Sequence, residues 1–223
     1  MRTLVFIATM LAMVLVFAVI LFVPAGRTDW PLAWIYIGII ITFLAGLWIL
    51  LERHNPELID RRRRIGKGTK TWDKVWLALF APVMYGVYIV AGLEARGGAT
   101  GLPVMLWPLG FALFAGGCVL LAWSMLVNPF FEKTVRIQKE HGHKVIDSGP
   151  YAIVRHPGYL GLIGWMLGTP LMLASAWSLV PATLAIAGIV LRTALEDRTL
   201  RNELEGYAEY VSKVRFRLLP RVW

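Results

Sequence analysis

Residues 4–23 read LVFIATMLAMVLVFAVILFV, an unbroken run without a single charged side chain. A helix rising 1.5 Å per residue needs about 20 such residues to cross roughly 30 Å of hydrocarbon, and this run has that length. It is longer than the apolar core of a secretory leader, and no A-x-A-like cleavage site precedes the next apolar stretch. A retained first membrane span is therefore expected. The same reading extends to residues 32–51, 75–93 and 102–127. Residues 160–191 are apolar again, too long for one crossing and short for two, so a helical hairpin turning near Ser175 and Ser178 is expected. Its arms cross only a thinned bilayer or stop short. Gly116, Gly117, Gly164, Gly168, Pro82, Pro170 and Pro181 interrupt these runs, which lipid tolerates because neighbouring helices re-satisfy the backbone.

The predicted fold is all-α: a polytopic membrane helical bundle of five to six spans, including the C-terminal hairpin, followed by a cytoplasmic amphipathic helix. Residues 1–127 form the N-terminal transmembrane helices, and 128–223 form a second unit that carries the chemistry. Composition agrees: 57% of the 223 residues are hydrophobic and 17% charged, with a mean hydropathy of +0.62. The formal charge of +9 lies between and after apolar stretches. It points to anionic lipid headgroups and away from nucleic acid. The one cysteine, Cys118, excludes a disulfide framework and a thiolate metal cluster within the chain, and reads as a small core residue.

Orientation follows from the basic residues beside the spans. The loop 52–74 holds Arg53, Arg61, Arg62, Arg63, Arg64, Lys67 and Lys70, whereas the loops around Arg27 and Arg96 carry one basic residue each. The first loop is cytoplasmic by that asymmetry. Counting crossings brings both termini, residues 128–157 and the tail from Arg192 to the same side. The arginine run reads as a topology and lipid anchor without a catalytic role. No charged residue lies within the first four runs and Glu94 stands at the edge of the third, which argues against solute transport.

Beyond Arg192, apolar Leu195, Leu200, Leu204, Tyr207 and Val211 recur at helical spacing among acidic and basic residues, the pattern of an amphipathic helix. No Gly or Pro separates Leu191 from Glu203, so this helix continues from the last span. Arg215, Arg217, Pro220, Arg221 and Trp223 read as an interfacial end.

Two stretches carry chemistry. Residues 138–161 read QKEHGHKVIDSGPYAIVRHPGYLG, placing His, Arg and Tyr on a Gly- and Pro-rigidified backbone at the membrane boundary. Arg192 and Glu196 share a helical face at i,i+4, with Asp197 beside them. As an isolated surface pair they would be worth only about 0.3–0.5 kcal/mol. At the exit of the last span, facing the first stretch, they become a candidate site.

In order along the chain stand H-x-x-I (His143 to Ile146), S-G-P-Y (Ser148 to Tyr151), V-R-H-P-x-Y-x-G (Val154 to Gly161), the apolar hairpin, R-x-x-x-E (Arg192, Glu196), Y-x-x-Y (Tyr207, Tyr210) and a terminal L-P. This ordered set, over about 128–220, resembles the isoprenylcysteine carboxyl methyltransferase family and its phospholipid methyltransferase relatives. The resemblance implies methyl transfer from S-adenosyl-L-methionine to a lipophilic small-molecule or lipidated acceptor, at a site shared between cytosol and bilayer. No G-x-G-x-x-G motif marks a soluble cofactor domain. By matching position, Gln138, His143, Lys144, Val145, Ile146, Tyr151, His156, Pro157, Gly158, Tyr159 and Glu196 are implied cofactor contacts. Arg192 is implied to orient the acceptor, with Arg155 assisting it. Where relatives often carry two glutamates, this chain has Glu196 and Asp197.

Such a donor needs a carboxylate for its cationic groups, donors for its own carboxylate and aromatic faces, and the sequence supplies Glu196, His143, His156, Tyr151 and Tyr159. No metal is required. A carboxylate acceptor needs no general base, whereas an amine or thiol would draw on His156 or Glu196. The acceptor stays open between an isoprenylcysteine-type carboxylate, a phospholipid and a small amine or thiol. An inactive membrane scaffold is the alternative from another class. Tyr207 and Tyr210 read as packing residues, Gly158 and Gly161 also suit close helix packing, and Asn128-Pro129 ends the fourth span.

Overall fold

The computed structural model describes residues 2–98 and 101–223. Helices α1 (Arg2–Ala25) and α2 (Pro31–His54) form an antiparallel pair. The short α3 (Pro56–Arg62) lies where the sequence reading expected only loop, capped by Asn55, whose side chain accepts from the Leu58 amide at 3.3 Å. Then come α4 (Thr71–Ala95) and α5 (Trp107–Val127), the latter entered through a 3₁₀ turn at Val104–Leu106. After the loop 128–156, α6 (Pro157–Met172) and α7 (Leu179–Glu203) make the hairpin, and α8 (Tyr207–Lys213) follows. Among the described residues, five helices are long and apolar enough to cross a membrane: α1, α2, α4, α5 with its leading turn, and α7.

The hairpin is asymmetric. Its α6 arm has 16 residues, about 24 Å of rise and so short of a full crossing, while α7 runs unbroken from the span to Glu203. The turn falls at 173–178. Glu94, at the edge of the third apolar run, closes it by accepting from the Ser175 hydroxyl and from the Trp177 amide at 3.1 Å. The single amphipathic helix expected through Val211 is broken: α7 ends at Glu203 and Gly206 takes φ +77° before α8 begins. That left-handed step, open to glycine without strain, redirects the chain back over the hairpin.

Close approach of α5 and α6 rests on glycine. A Cβ on Gly117 would stand 2.4 Å from the Gly161 carbonyl, and one on Gly168 would stand 2.5 Å from the Gly110 carbonyl. Without a hydrophobic drive between helices in lipid, such backbone-to-backbone packing holds the pair. Gly117→Leu is expected to cost about 1–3 kcal/mol by overpacking and to lower the melting temperature in detergent. The adjacent Gly116→Leu, whose Cβ position is open, should change it little.

At mid-bundle the Tyr36 hydroxyl meets Tyr88 Oη at 3.1 Å and Thr169 Oγ1 at 3.0 Å, and Trp165 Nε1 donates to Tyr88 Oη at 3.0 Å. These bonds fasten α2, α4 and α6 where water is absent. Cys118 is buried in the core nearby.

The polar segments converge on one end of the bundle, as the count of crossings required. Arg61 Nη2 donates to the Pro129 carbonyl at 2.7 Å, the Lys70 amide to the Val135 carbonyl at 3.1 Å, and Lys70 Nζ to Glu203 at 2.7 Å. The arginine run is thus not simply a lipid anchor: Arg61 and Arg62 tie α3 to the loop after α5.

Candidate active site

The loop 128–156 owes its path to local hydrogen bonds and two glycine turns. Asn128 Oδ1 accepts from the Phe130 amide at 2.8 Å while its Nδ2 donates to Tyr151 Oη at 3.2 Å, so Asn128 does more than end α5. Gly142 and Gly149 supply φ values of +62° and +58°. Arg136 grips buried Glu132 through Nε and Nη2 at 2.8 and 2.9 Å, fixing the segment that carries Gln138.

Arg192 projects from α7 into the space this loop encloses. Its Nη2 donates to the Lys133 carbonyl at 2.6 Å and to Asp73 Oδ2 at 3.3 Å. Its Nε sits 2.9 Å from Asp73 Oδ1, an ion pair that is not aligned as a hydrogen bond. Asp73, in the first turn of α4, is fully buried and also accepts from the Val135 amide at 2.7 Å. The guanidinium lies 4.3 Å from the Trp76 ring centre and 5.5 Å from that of Tyr159. Carboxylate, carbonyl and two rings thus hold Arg192 in one rotamer.

Glu196, one turn further along α7, accepts a hydrogen bond from Tyr159 Oη, so it does not form the simple i,i+4 pair with Arg192. Tyr159 stacks on His156 with ring centres 5.8 Å apart, which orders Arg192, Tyr159 and His156 in a row.

Asp197 faces the other way and is the hub of the C-terminal cap. Fully buried, it receives Arg155 Nε at 2.7 Å, Tyr207 Oη at 3.1 Å and Arg217 Nε at 3.0 Å, with Arg201 Nε at 3.1 Å and His156 Nε2 at 3.4 Å. Arg155 Nη1 donates to the carbonyls of Val214 and Arg215 at 2.8 and 2.7 Å. All three guanidinium nitrogens of Arg155 are thereby engaged within the protein. Its place is that of a strut for the cap rather than of a group free to take a substrate.

His143 and Gln138 form a polar wall opposite Glu196. The Gln138 amide donates to His143 Nδ1 at 3.3 Å, so the ring hydrogen sits on Nε2. Burial, then the Arg136 charge, pushes the His143 pKa down to about 4. It is a neutral donor. Gln138 Nε2 donates to the Phe130 carbonyl at 2.8 Å, which fixes the amide orientation. Gln138 Oε1 and Thr134 Oγ1 are then left buried without partners among the described residues.

These groups line one cavity of about 470 Å³. Along one side run Trp76, Leu77, Phe80, Ala81 and Met84 of α4, with Leu162 of α6, an apolar wall that extends from the guanidinium of Arg192 along the helices. Trp76 and Met84 lie eight positions apart on α4, a rise of about 12 Å.

Of the side chains singled out from sequence, Gln138, His143, Lys144, Val145, Ile146, Tyr151, Arg155, His156, Gly158, Tyr159, Arg192 and Glu196 all line this cavity. Pro157 does not. It is the first residue of α6, where its missing amide hydrogen costs nothing. Gly158 serves packing as well, since a Cβ there would stand 2.5 Å from the Phe131 ring. Tyr207 and Tyr210, read as packing residues, are buried and border the cavity, and Tyr210 Oη donates to the Tyr151 carbonyl at 2.6 Å. Sequence reasoning missed Arg62, Asp73, Trp76 and Thr134. The one available signal was an acidic residue, Asp73, at the very start of a span beside a basic loop.

Comparison with known proteins bears on the same region. The sequence model of the isoprenylcysteine carboxyl methyltransferase (ICMT) family matches residues 109–202. A probable protein-S-isoprenylcysteine O-methyltransferase of Oryza sativa subsp. indica is 35% identical over 86 residues, 38% of this chain and 45% of the plant protein. The Xenopus laevis protein-S-isoprenylcysteine O-methyltransferase is 35% identical over 109 residues, 48% of this chain and 38% of the frog protein. The human one is 30% identical over 106 residues, 44% of this chain and 36% of its own length. The chain thus spans less than half the length of these curated relatives. The matched region contains the cavity-lining loop, the hairpin and the Arg192–Glu196 pair, and over residues 109–202 the chain is similar to the isoprenylcysteine carboxyl methyltransferase family.

Proposed function

We propose that this protein transfers a methyl group from S-adenosyl-L-methionine to the carboxylate of a lipophilic, isoprenylcysteine-type acceptor at the cytoplasmic membrane face. The observation that carries the reading is the cavity's division into a polar wall and an apolar wall, with Arg192 fixed where they meet. The names of the relatives support the reaction class and a prenylated acceptor.

The polar wall suits the donor. Glu196 offers a carboxylate to a sulfonium or ammonium, Gln138 Oε1 is a buried acceptor lacking a donor among the described residues, and His143 Nε2–H is a donor. When bound, S-adenosyl-L-methionine supplies an already activated methyl carbon. Transfer to a carboxylate oxygen would form the new carbon–oxygen bond as the donor's carbon–sulfur bond breaks, with that electron pair left on sulfur. Ester and thioether are both neutral, and no proton moves, so the chain's task is to align the partners and keep water out. Arg192 presents a planar fork that suits a carboxylate. Eight basic residues in 52–74, at the cavity end of the bundle, support the cytoplasmic assignment.

The test is calorimetric titration of S-adenosyl-L-methionine into detergent-purified protein, with Glu196→Ala beside it. Saturable binding that weakens at least about tenfold in the variant, a loss of about 1.4 kcal/mol or more, is expected. Absence of binding in folded wild-type protein would overturn the reading in favour of an inactive scaffold.

A further inference from the structure

Arg62 comes from α3, outside the residues matched by the family model, yet it lines the same cavity as Arg192. Its Nη1 donates to the Phe131 carbonyl at 2.8 Å, and the guanidinium lies 5.5 Å from the Phe131 ring centre. Arg192 is tied to the Lys133 carbonyl, two residues further along the same non-helical segment. An extended chain advances at most about 3.6 Å per residue, so the two anchoring residues are within roughly 7 Å of each other. A carboxylate seated between two guanidinium groups needs a gap of that size.

We propose that Arg62 and Arg192 together form a cradle for the acceptor's carboxylate, which makes Arg62 a specificity-determining residue for an anionic lipophilic acceptor. The inference rests on the methyltransferase reading and deepens it. Among the described residues, Nη1 of Arg192 and Nε and Nη2 of Arg62 are not used in the hydrogen bonds and ion pairs that hold these side chains. The carboxylates in the surrounding wall are committed elsewhere: Asp73 to Arg192 and the Val135 amide, Glu196 to Tyr159, Glu132 to Arg136. Burial, and next the neighbouring Arg192, push the Arg62 pKa down to about 10, the mark of a cation still short of a counter-charge.

The cradle also stands at the head of the apolar wall, since Arg192 packs on Trp76. An amphiphile with an anionic head and an apolar tail fits that arrangement, whereas the donor's own polar groups face Gln138, His143 and Glu196. Methylation removes the negative charge, so the same two arginines that hold the substrate release the ester.

The experiment compares binding of N-acetyl-S-farnesylcysteine and of its methyl ester to detergent-purified protein without donor, in wild type, Arg62→Gln and Arg62→Lys. Wild type is expected to prefer the acid at least about tenfold. Arg62→Gln should remove most of that preference with S-adenosyl-L-methionine affinity unchanged, and Arg62→Lys should keep part of it. The cradle is overturned if acid and ester bind wild type alike. An acid preference that survives in Arg62→Gln also overturns it, as does a variant that loses only donor affinity, since Arg62 would then serve the donor's carboxylate. Acid preference without any donor binding would sink the methyltransferase reading and leave the cradle standing. Undiminished methylation of low-concentration acid by Arg62→Gln would do the reverse.

Discussion

Arg192→Ala is expected to lower turnover of a lipophilic carboxylic acid by roughly 10²–10³-fold, the usual cost of removing one preorganised charged donor at a reacting centre. S-adenosyl-L-methionine affinity should change little, because the groups that suit the donor, Glu196, Gln138 and His143, hang on other supports. Arg192→Lys should recover only part of the activity, since an ammonium keeps the charge but loses the planar fork. Asp73→Asn separates positioning from folding. Asp73 is fully buried and holds Arg192 through Nε and Nη2, so its neutralisation loosens the guanidinium without removing it. The expected result is a fall in kcat that exceeds any rise in acceptor KM, measured with a radiolabelled methyl donor. If Arg192→Ala turns over at the wild-type rate, Arg192 does not orient the acceptor.

The second large effect is on stability. Asp197→Ala is expected to cost about 3–5 kcal/mol, because it leaves buried cations without their counter-charge. Arg155 is 2% exposed at its side chain and Asp197 not at all, and Arg217 and Arg201 converge on the same carboxylate. Loss of that hub should free the segment that pairs with residues 155 and 156, whose amides donate to the carbonyls of Phe216 and Arg217, respectively, each at 2.9 Å. Limited proteolysis after α7 and a lower melting temperature in detergent would register this. Asp197→Glu, which keeps the charge and lengthens the arm by one methylene, should be far milder. An Asp197→Ala protein as stable as wild type would show that the five contacts contribute little net energy.

The two acidic neighbours on α7 thus have opposite duties. Helical geometry turns adjacent side chains by about 100°, so Glu196 faces the cavity while Asp197 faces the cap. From sequence, Glu196 is a candidate through its shared helical face with Arg192 and the R-x-x-x-E match, whereas Asp197 stands beside it with no role assigned. Only the fold shows Arg155, His156, Arg201, Tyr207 and Arg217 gathered on one carboxylate.

What the amino-acid order determined alone is what depends on local periodicity and solvent: apolar runs the length of a bilayer, their breaks, the basic loop that gathers at one end, and the ordered motifs from His143 to Glu196. These properties are read from residues close along the chain. Tertiary structure decided the rest. Asp73 meets Arg192 across 119 positions, Arg62 turns inward from a run of four arginines, and Gly206 breaks a helix that periodicity would have continued. For the two arginines the controlling partner is distant in sequence, and burying a charge forces it to find an opposite charge or a carbonyl wherever the packed helices offer one.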